Sequence, residues 1–373
     1  MPLLDLFRYV AAFCVALVHY QYYFAEPFQT DILAWSGLSF FFMLSGFVLA
    51  YRYQELPRSQ IRIFYARRLI RIYPLYAVAV VSGFLVSYYG YQSLGNDFFT
   101  QSGRPWILTG NLPHHVYDYL WEESLWKHLL FLQLWSENDH AKYLINAPLW
   151  SIANEMFFYL CFPLLIPIIK YLRSIPTCLL AIFLAIGIQH ALFQVKLPTE
   201  SREWFEISAS VYTSPILRVW EFVIGILLYQ TYMLSRTRVS NASRYFLLAM
   251  ALLAYAFTYV THVNVSYEYI LYLYMVPSIA LLLFALALLD YQPAEIPAKL
   301  MFQMGGASYV LYCMHMVVFE VLRLLDITQE SLPGHVFWVF AFLTLVGILT
   351  YQWVEAPLHR MLRRRLAAPP EKN

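Results

Sequence analysis

Ten long apolar stretches restrict what this chain can fold into more than any other feature of its sequence. About 20 residues of α-helix cross the hydrocarbon core of a bilayer. The hydrophobic content of 60% and the mean hydropathy of +0.53 exclude an ordinary soluble domain. We therefore predict an all-α, polytopic integral membrane protein of about ten transmembrane helices. The predicted spans are 4–24, 36–52, 72–90, 148–170, 176–194, 214–233, 244–262, 270–290, 305–325 and 335–356.

The placement of basic residues predicts the orientation of the chain. An even number of spans puts both termini on one side, and six arginines lie in the first loop on that side, between positions 52 and 71. Cytoplasmic loops are enriched in Lys and Arg. We predict that both termini are cytoplasmic and that the protein lies in the cell (inner) membrane. The net charge of +2 is too small to indicate a nucleic-acid partner. The apolar composition instead predicts the lipid bilayer as the surroundings of the chain.

One integral domain accounts for nearly all of the chain. Residues 1–365 form the predicted transmembrane domain, and residues 366–373 form a short cytoplasmic tail. The first apolar stretch contains charge and is too long for a signal peptide, so we expect it to be retained. The long outer segment 91–147, which includes His114 and His115, is predicted to form a lid or a re-entrant element. The four cysteines lie in apolar runs without metal-type spacing and are expected to be packing residues.

Arg8 and His19 stand out among the polar residues of the first span. Eleven positions separate them, which is close to three helical turns, so both point from one face about 16 Å apart. Ionisable groups inside a membrane are costly and often functional. The alternative is that Arg8 extends to the membrane surface and that His19 is a hydrogen-bonded packing residue. Their shared face favours a common pathway.

Glu155 lies near the start of the fourth predicted span, which runs inward from the outer surface. Counted from that surface, Glu155 and His19 are expected at similar depth and could pair if the two spans are neighbours. A histidine held by a carboxylate is a plausible general base, so we predict catalytic roles for His19, Glu155 and Arg8. The alternative is that Glu155 neutralises Arg218 or another buried cation.

The further candidates form three groups. Arg67, Arg68 and Arg71 lie at the cytoplasmic end of the third span, where guanidinium groups suit phosphate but also serve topology. The other polar candidates within spans are Ser45, Ser308, Tyr309 and His315. The pairs Arg218 with Glu221 and Glu320 with Arg323, each spaced by three, are expected to be structural ion pairs.

Six motifs in order along nearly the whole chain resemble the acyltransferase-3 family of integral membrane O-acyltransferases. They are Leu4-Asp5-Leu6-Phe7-Arg8 followed by His19; Phe41-Phe42-Met43-Leu44-Ser45-Gly46-Phe47; Phe64 to Pro74; Leu149-Trp150-Ser151-Ile152 leading to Glu155; Gly306-Ala307-Ser308-Tyr309 leading to Tyr312 and His315; and Val354-Glu355-Ala356-Pro357. Each motif is weak alone, but their order and spacing together are specific.

The resemblance implies transfer of an acyl group, commonly acetyl, from cytoplasmic acyl-coenzyme A to a hydroxyl of a surface carbohydrate or lipid-linked glycan. It implies no metal. It assigns the catalytic positions to Arg8, His19 and Glu155, and contact with coenzyme A phosphates to Arg67, Arg68 and Arg71. Direct transfer is the favoured route, and an acyl-enzyme on Ser45 or Ser308 is the alternative.

A proton-coupled secondary transporter or flippase of a glycan precursor is the rival function. Ten spans with buried Arg, His and Glu also describe such carriers. The sequence shows no internal repeat and no matching pair of helices broken by Gly or Pro. Release of free coenzyme A separates the two functions, because a carrier releases none.

Overall fold

The computed structural model describes residues 1–24, 31–95, 97–100, 120–136, 140–196, 212–264, 268–328, 332–358 and 360–361. Ten long helices within these residues are labelled α1 to α10 in chain order. They are α1 Pro2–Phe24, α2 Asp31–Arg52, α3 Ile61–Leu94, α4 Leu149–Leu165, α5 Ile175–Lys196, α6 Pro215–Ser235, α7 Asn241–Asn264, α8 Glu268–Leu289, α9 Glu295–Leu324 and α10 His335–Thr350. A 3₁₀ segment, Ile166–Tyr171, continues α4, and a π-helical turn, Tyr351–Glu355, continues α10.

The helices coincide with the ten predicted spans, which confirms the prediction of an all-α membrane protein. Among the described residues, nine helical stretches are long and apolar enough to cross a bilayer, and Leu273–Leu289 is a shorter apolar helix. The outward faces of α5 and α7 carry large apolar side chains such as Phe183 and Phe257, which are 70% and 58% exposed. Side chains of this kind are stable in contact with lipid, and they would be unfavourable in water.

The centre of the bundle is formed by α1, α2 and α9. Helix α1 packs chiefly against α9 and α2, while α2 also packs against α6. Helix α9 makes further contacts with α3 and α10, and α7 pairs with α8. The first and ninth helices are therefore neighbours although nearly 300 residues of sequence separate them.

The crossing of α2 and α6 depends on two glycines. A Cβ atom added at Gly46 would lie 2.1 Å from the Phe222 carbonyl oxygen, and one added at Gly225 would lie 1.9 Å from the Met43 carbonyl oxygen. Small residues let helix backbones approach closely in membrane proteins. This close crossing holds the neighbouring residue Ser45 at a fixed position in the interior.

The described part of the segment between α3 and α4 packs inside the bundle. The Tyr76 hydroxyl donates to the His128 carbonyl at 2.8 Å, and Ser87 Oγ donates to the Leu144 carbonyl at 3.1 Å. Asn146 Nδ2 donates to the Cys313 carbonyl of α9 at 2.9 Å. The residues that lead into helix α4 are therefore buried inside the protein. His114 and His115 lie outside the described residues.

The predicted ion pair between Arg218 and Glu221 is confirmed. Arg218 Nη1 lies 3.0 Å from Glu221 Oε1, both side chains are fully buried, and Gln189 Nε2 donates to the same oxygen at 3.0 Å. For the second predicted pair, the structure shows other contacts: Glu320 accepts from the Tyr23 hydroxyl at 3.0 Å, and Arg323 Nη2 donates to a backbone carbonyl of residue 98 at 3.0 Å.

Candidate active site

A cavity of about 610 Å³ lies at the end of the bundle that holds Met1. Helices α1, α2, α3, α4 and α9 contribute to its wall, together with the turn that follows α10. Its size falls in the ordinary range of small-molecule sites, about 300–1,000 Å³. Its charged lining residues are Asp5, Arg8, Arg52, Arg71, Glu155 and Glu355.

Arg8 lies among charges contributed by other parts of the chain. It interacts electrostatically with Asp5, Arg71 and Glu155, and Glu355 interacts with Arg8 and Arg71. Buried charges are tolerated when opposite charges offset their desolvation. The cavity therefore contains guanidinium groups whose charge is partly offset by nearby carboxylates.

Glu155 is held by hydroxyl groups on α2 and α4. Ser45 Oγ donates to Glu155 Oε1 at 3.1 Å, and the Tyr159 hydroxyl donates to the same oxygen. Tyr159 is one helical turn from Glu155 and also lines the cavity. Ser45, a candidate from the sequence, is thus a hydrogen-bond donor to the predicted catalytic carboxylate.

His19 has a different partner from the one predicted. Its Nδ1 lies 2.9 Å from Nε2 of His315 on α9, whereas Glu155 is bonded to Ser45 and Tyr159. The expected pairing of His19 with Glu155 is therefore corrected to a pairing of His19 with His315.

The physical reason for the correction is the depth at which α4 begins. The prediction placed residue 148 at the outer surface, but residues 142–150 are buried and α4 starts inside the protein. Glu155 consequently shares the cavity with Arg8, and His19 lies about 16 Å farther along α1.

Tyr312 connects the cavity to the two histidines. It lines the cavity, its hydroxyl lies 2.6 Å from Ser151 Oγ, and its ring centroid is 6.0 Å from that of His315. Candidate groups therefore follow one another from the Met1 end inward: first the charged cavity, then the Ser151–Tyr312 pair, then His315 with His19.

The three arginines of α3 occupy different environments. Arg71 lines the cavity and is exposed. Arg68 is buried, its Nη2 donates to the Tyr53 hydroxyl at 3.2 Å, and its guanidinium lies 5.4 Å from the centroid of that ring. Arg67 also approaches the Tyr53 hydroxyl. Only Arg71 of these three is placed by the structure on the cavity wall.

Ser308 and Tyr309 both line the cavity, and both make backbone contacts. Ser308 Oγ donates to the Gly305 carbonyl at 2.7 Å, and the Tyr309 hydroxyl donates to the Ile72 carbonyl on α3 at 2.9 Å. The second bond ties α9 to α3 directly beside Arg71. Within the described residues, no group of three His, Cys, Asp or Glu side chains is arranged to hold a metal ion.

Comparison with known proteins connects this arrangement to a chemistry. The sequence model of the acyltransferase-3 family, described as an acyltransferase domain, matches residues 2–352. The chain belongs to the acyltransferase-3 family. The cavity, the arginines and the histidine pair are therefore features of an acyltransferase that spans the membrane several times.

Two curated relatives support the assignment to the acyltransferase-3 family. The chain is 28% identical to a protein of Streptomyces mycarofaciens named "Acyltransferase MdmB", over 98% of this chain and 93% of the relative. It is 24% identical to a protein of Acidianus two-tailed virus named "Putative acetyltransferase ORF330", over 87% of this chain and 86% of the relative. No solved structure gives a significant match.

Sequence reasoning missed several cavity residues of this acyltransferase-3 protein. Asp5 and Glu355 were present in the quoted motifs, but neither was chosen as a candidate. Tyr159 could have been found by its spacing from Glu155, because residues four apart lie on the same face of a helix. Tyr312 was also named in a motif without being chosen, and Arg52 was counted only among the basic residues of the first loop.

Proposed function

We propose that this acyltransferase moves an acyl group, most commonly acetyl, from cytoplasmic acyl-coenzyme A to a hydroxyl of a surface carbohydrate or lipid-linked glycan. The observation that carries the proposal is the cavity, which is lined by arginines at the Met1 end, together with the buried histidine pair that packs behind Tyr312 of its wall. The cavity offers cations for an anionic donor, and the histidine pair offers a base for a neutral acceptor.

The donor's phosphates bind at the arginine-lined end of the cavity. Arg52 and Arg71 line the cavity there and are exposed. Guanidinium groups bind phosphate through pairs of hydrogen bonds, and each charge-assisted bond contributes about 1.5–3 kcal/mol. The pantetheine arm then extends inward past Arg8 and Glu155.

The transfer step uses His19. His19 takes the proton of the acceptor hydroxyl while that oxygen attacks the thioester carbonyl carbon. The carbon–sulfur bond breaks, and the protonated His19 returns the proton to the leaving thiolate, which gives an ester and free coenzyme A. General-base catalysis contributes about 10²- to 10⁴-fold. Arg8 lies about 16 Å from His19 along α1 and steadies the donor in the cavity, away from the bond that is broken.

Direct transfer fits the contacts of the two candidate serines. Ser308 Oγ already donates to the Gly305 carbonyl, and Ser45 Oγ donates to Glu155, which also accepts from Tyr159. The hydroxyl of Ser308 has a backbone oxygen as its partner instead of a base. We therefore assign no acyl-enzyme step to Ser308, and we propose direct transfer with Ser45 as a hydrogen-bond donor to Glu155.

The proposal sets the orientation in the membrane. Acyl-coenzyme A is cytoplasmic, so the Met1 end of the bundle faces the cytoplasm, in agreement with the arginines of the first loop. The bilayer is the cell (inner) membrane. A C-terminal reporter fusion is expected on the cytoplasmic side, and a reporter found outside the cell would contradict this orientation.

Release of free coenzyme A tests the proposed function. Purified protein is supplied with acetyl-coenzyme A and a glycolipid extract of the membranes in which it is made, and free thiol is measured over time. Thiol is expected to appear only when donor and extract are both present. Mass spectrometry of surface glycans and glycolipids from cells with and without the protein is then expected to show an added acyl group. Transport of a glycan precursor without thiol release would support the rival carrier function and overturn the proposal.

A further inference from the structure

The donor and the acceptor of the hydrogen bond between His19 and His315 follow from the other contacts of His315. His315 Nδ1 lies 3.1 Å from the carbonyl oxygen of Leu311, one turn earlier on α9. A carbonyl oxygen only accepts hydrogen bonds, so this nitrogen of His315 carries the hydrogen.

The hydrogen on Nδ1 determines the state of the other nitrogen of His315. In a neutral imidazole one nitrogen donates and the other accepts. His315 is fully buried and packs against Tyr312 and Phe319, with ring centroids at 6.0 and 5.6 Å. A charged imidazolium is costly in such surroundings, so Nε2 of His315 is an acceptor.

The acceptor on His315 in turn sets the tautomer of His19. Nδ1 of His19 lies 2.9 Å from that acceptor and must donate to it. The planes of the two rings differ by 10°, and the ring centroids are 5.1 Å apart. This centroid distance exceeds the 2.9 Å between the two nitrogens by about two ring radii. The rings therefore meet edge to edge, which is the geometry of an N–H···N bond. The lone pair of His19 is left on Nε2.

We infer that His315 is a positioning residue that fixes His19 in the tautomer required of a general base. This inference rests on the proposed function, because it assumes that His19 Nε2 receives the acceptor's proton. His315 is the positioning member of the pair because its Nδ1 is bonded to the Leu311 carbonyl and its Nε2 faces His19. Two successive hydrogen bonds, from His315 to the Leu311 carbonyl and from His19 to His315, orient the catalytic imidazole. A carboxylate has this role for other catalytic histidines.

Two amide substitutions at position 315 separate this role from packing. The side-chain amide of Gln lies as many bonds from Cβ as Nε2 does, so His315→Gln retains an acceptor for His19 Nδ1–H. The shorter amide in His315→Asn matches Nδ1 instead and leaves that hydrogen without its acceptor. We expect His315→Gln to keep at least about a tenth of the wild-type kcat, and His315→Asn to lose roughly 10²- to 10⁴-fold. The KM for acetyl-coenzyme A is expected to stay within about twofold in both variants.

A double-mutant cycle completes the test. If His315 acts through His19, then His19→Ala/His315→Asn has a kcat within about threefold of His19→Ala alone. Multiplicative losses, or equal losses in the Gln and Asn variants, would overturn the inference. Size-exclusion profiles establish that each variant is folded, and the comparison of Gln with Asn remains decisive if a larger truncation does not fold. Wild-type activity in His19→Ala would instead refute the proposed function itself.

Discussion

Ser45 and Glu155 meet across α2 and α4, where Ser45 Oγ donates a hydrogen bond of 3.1 Å to Glu155 Oε1. The bond places a carboxylate at the wall of the cavity that also contains Arg8. Glu155 thus interacts electrostatically with the Arg8 guanidinium, at a distance from His19.

Neutralising Glu155 is expected to slow transfer without unfolding the protein. Glu155→Gln keeps an amide oxygen that accepts from Ser45 and Tyr159 but removes the charge that attracts Arg8. Loss of this attraction, about 1.5–3 kcal/mol, corresponds to a fall in kcat of roughly 10- to 100-fold. The measurement is initial-rate release of free coenzyme A.

A matched control for Glu155 is Glu55→Gln. The Glu55 side chain is 73% exposed and pairs with Lys170 at 3.2 Å on the surface. Exposed ion pairs contribute little, so we expect activity within about twofold of wild type. Similar losses in the two variants would show that charge at the cavity wall has no special role.

The arginines of α3 are expected to separate into binding and structural residues. Arg71 lines the cavity, so Arg71→Ala should raise the KM for acetyl-coenzyme A by about tenfold or more with kcat less affected. Arg68 is buried against Tyr53, so Arg68→Ala should lower the thermal midpoint instead.

Arg62→Ala is the control for both arginine variants, because Arg62 is exposed on the same helix and is not part of the cavity wall. It is expected to leave the KM within about threefold of wild type, since a peripheral charge is screened by salt. A larger rise in KM for Arg62→Ala than for Arg71→Ala would show that the donor's phosphates bind outside the cavity.

The crossing of α2 and α6 is expected to tolerate no side chain at residue 225. A Cβ atom there would lie 1.9 Å from the Met43 carbonyl oxygen, so Gly225→Ala must push the helices apart and should destabilise by about 1–3 kcal/mol. Gly187→Ala on α5 is the control, because no atom lies within 4 Å of its added Cβ and Ala favours a helix over Gly. Thermal midpoints in one detergent compare them, and equal midpoints would be inconsistent with the close crossing.

Acid is expected to destabilise the segment between α3 and α4 through His128. Burial lowers the pKa of His128 to about 4, well below the value of about 6.5 for an exposed histidine. Between these two values the unfolded chain binds a proton that the folded protein excludes. Stability therefore falls as the pH drops from about 6.5 to 4, by roughly 3 kcal/mol in total.

The variant His128→Gln isolates this contribution. Its thermal midpoint is expected to fall less than that of the wild type between pH 7 and pH 4, because a glutamine binds no proton in the unfolded chain. Parallel curves for the two proteins would show that His128 is not the group responsible.

The helices were predictable from the sequence, but the partners within the site were not. Apolar stretches of membrane-spanning length identify α1 to α10, because length and hydropathy are local properties. The depth of Glu155 is not local: it depends on residues 142–148 entering the protein before α4 begins. The partner of His19 depends on α1 packing against α9, a contact between distant parts of the chain.

The central claim is that His19, bonded to His315 behind the wall of the cavity, is the base for transfer. Its most direct test measures kcat and acetyl-coenzyme A affinity for purified His19→Ala in parallel with wild type. We expect kcat to fall by at least about 10²-fold while the donor's Kd stays within about twofold, because His19 lies beyond the donor's phosphates. A folded His19→Ala protein that transfers acyl groups at the wild-type rate would contradict the account.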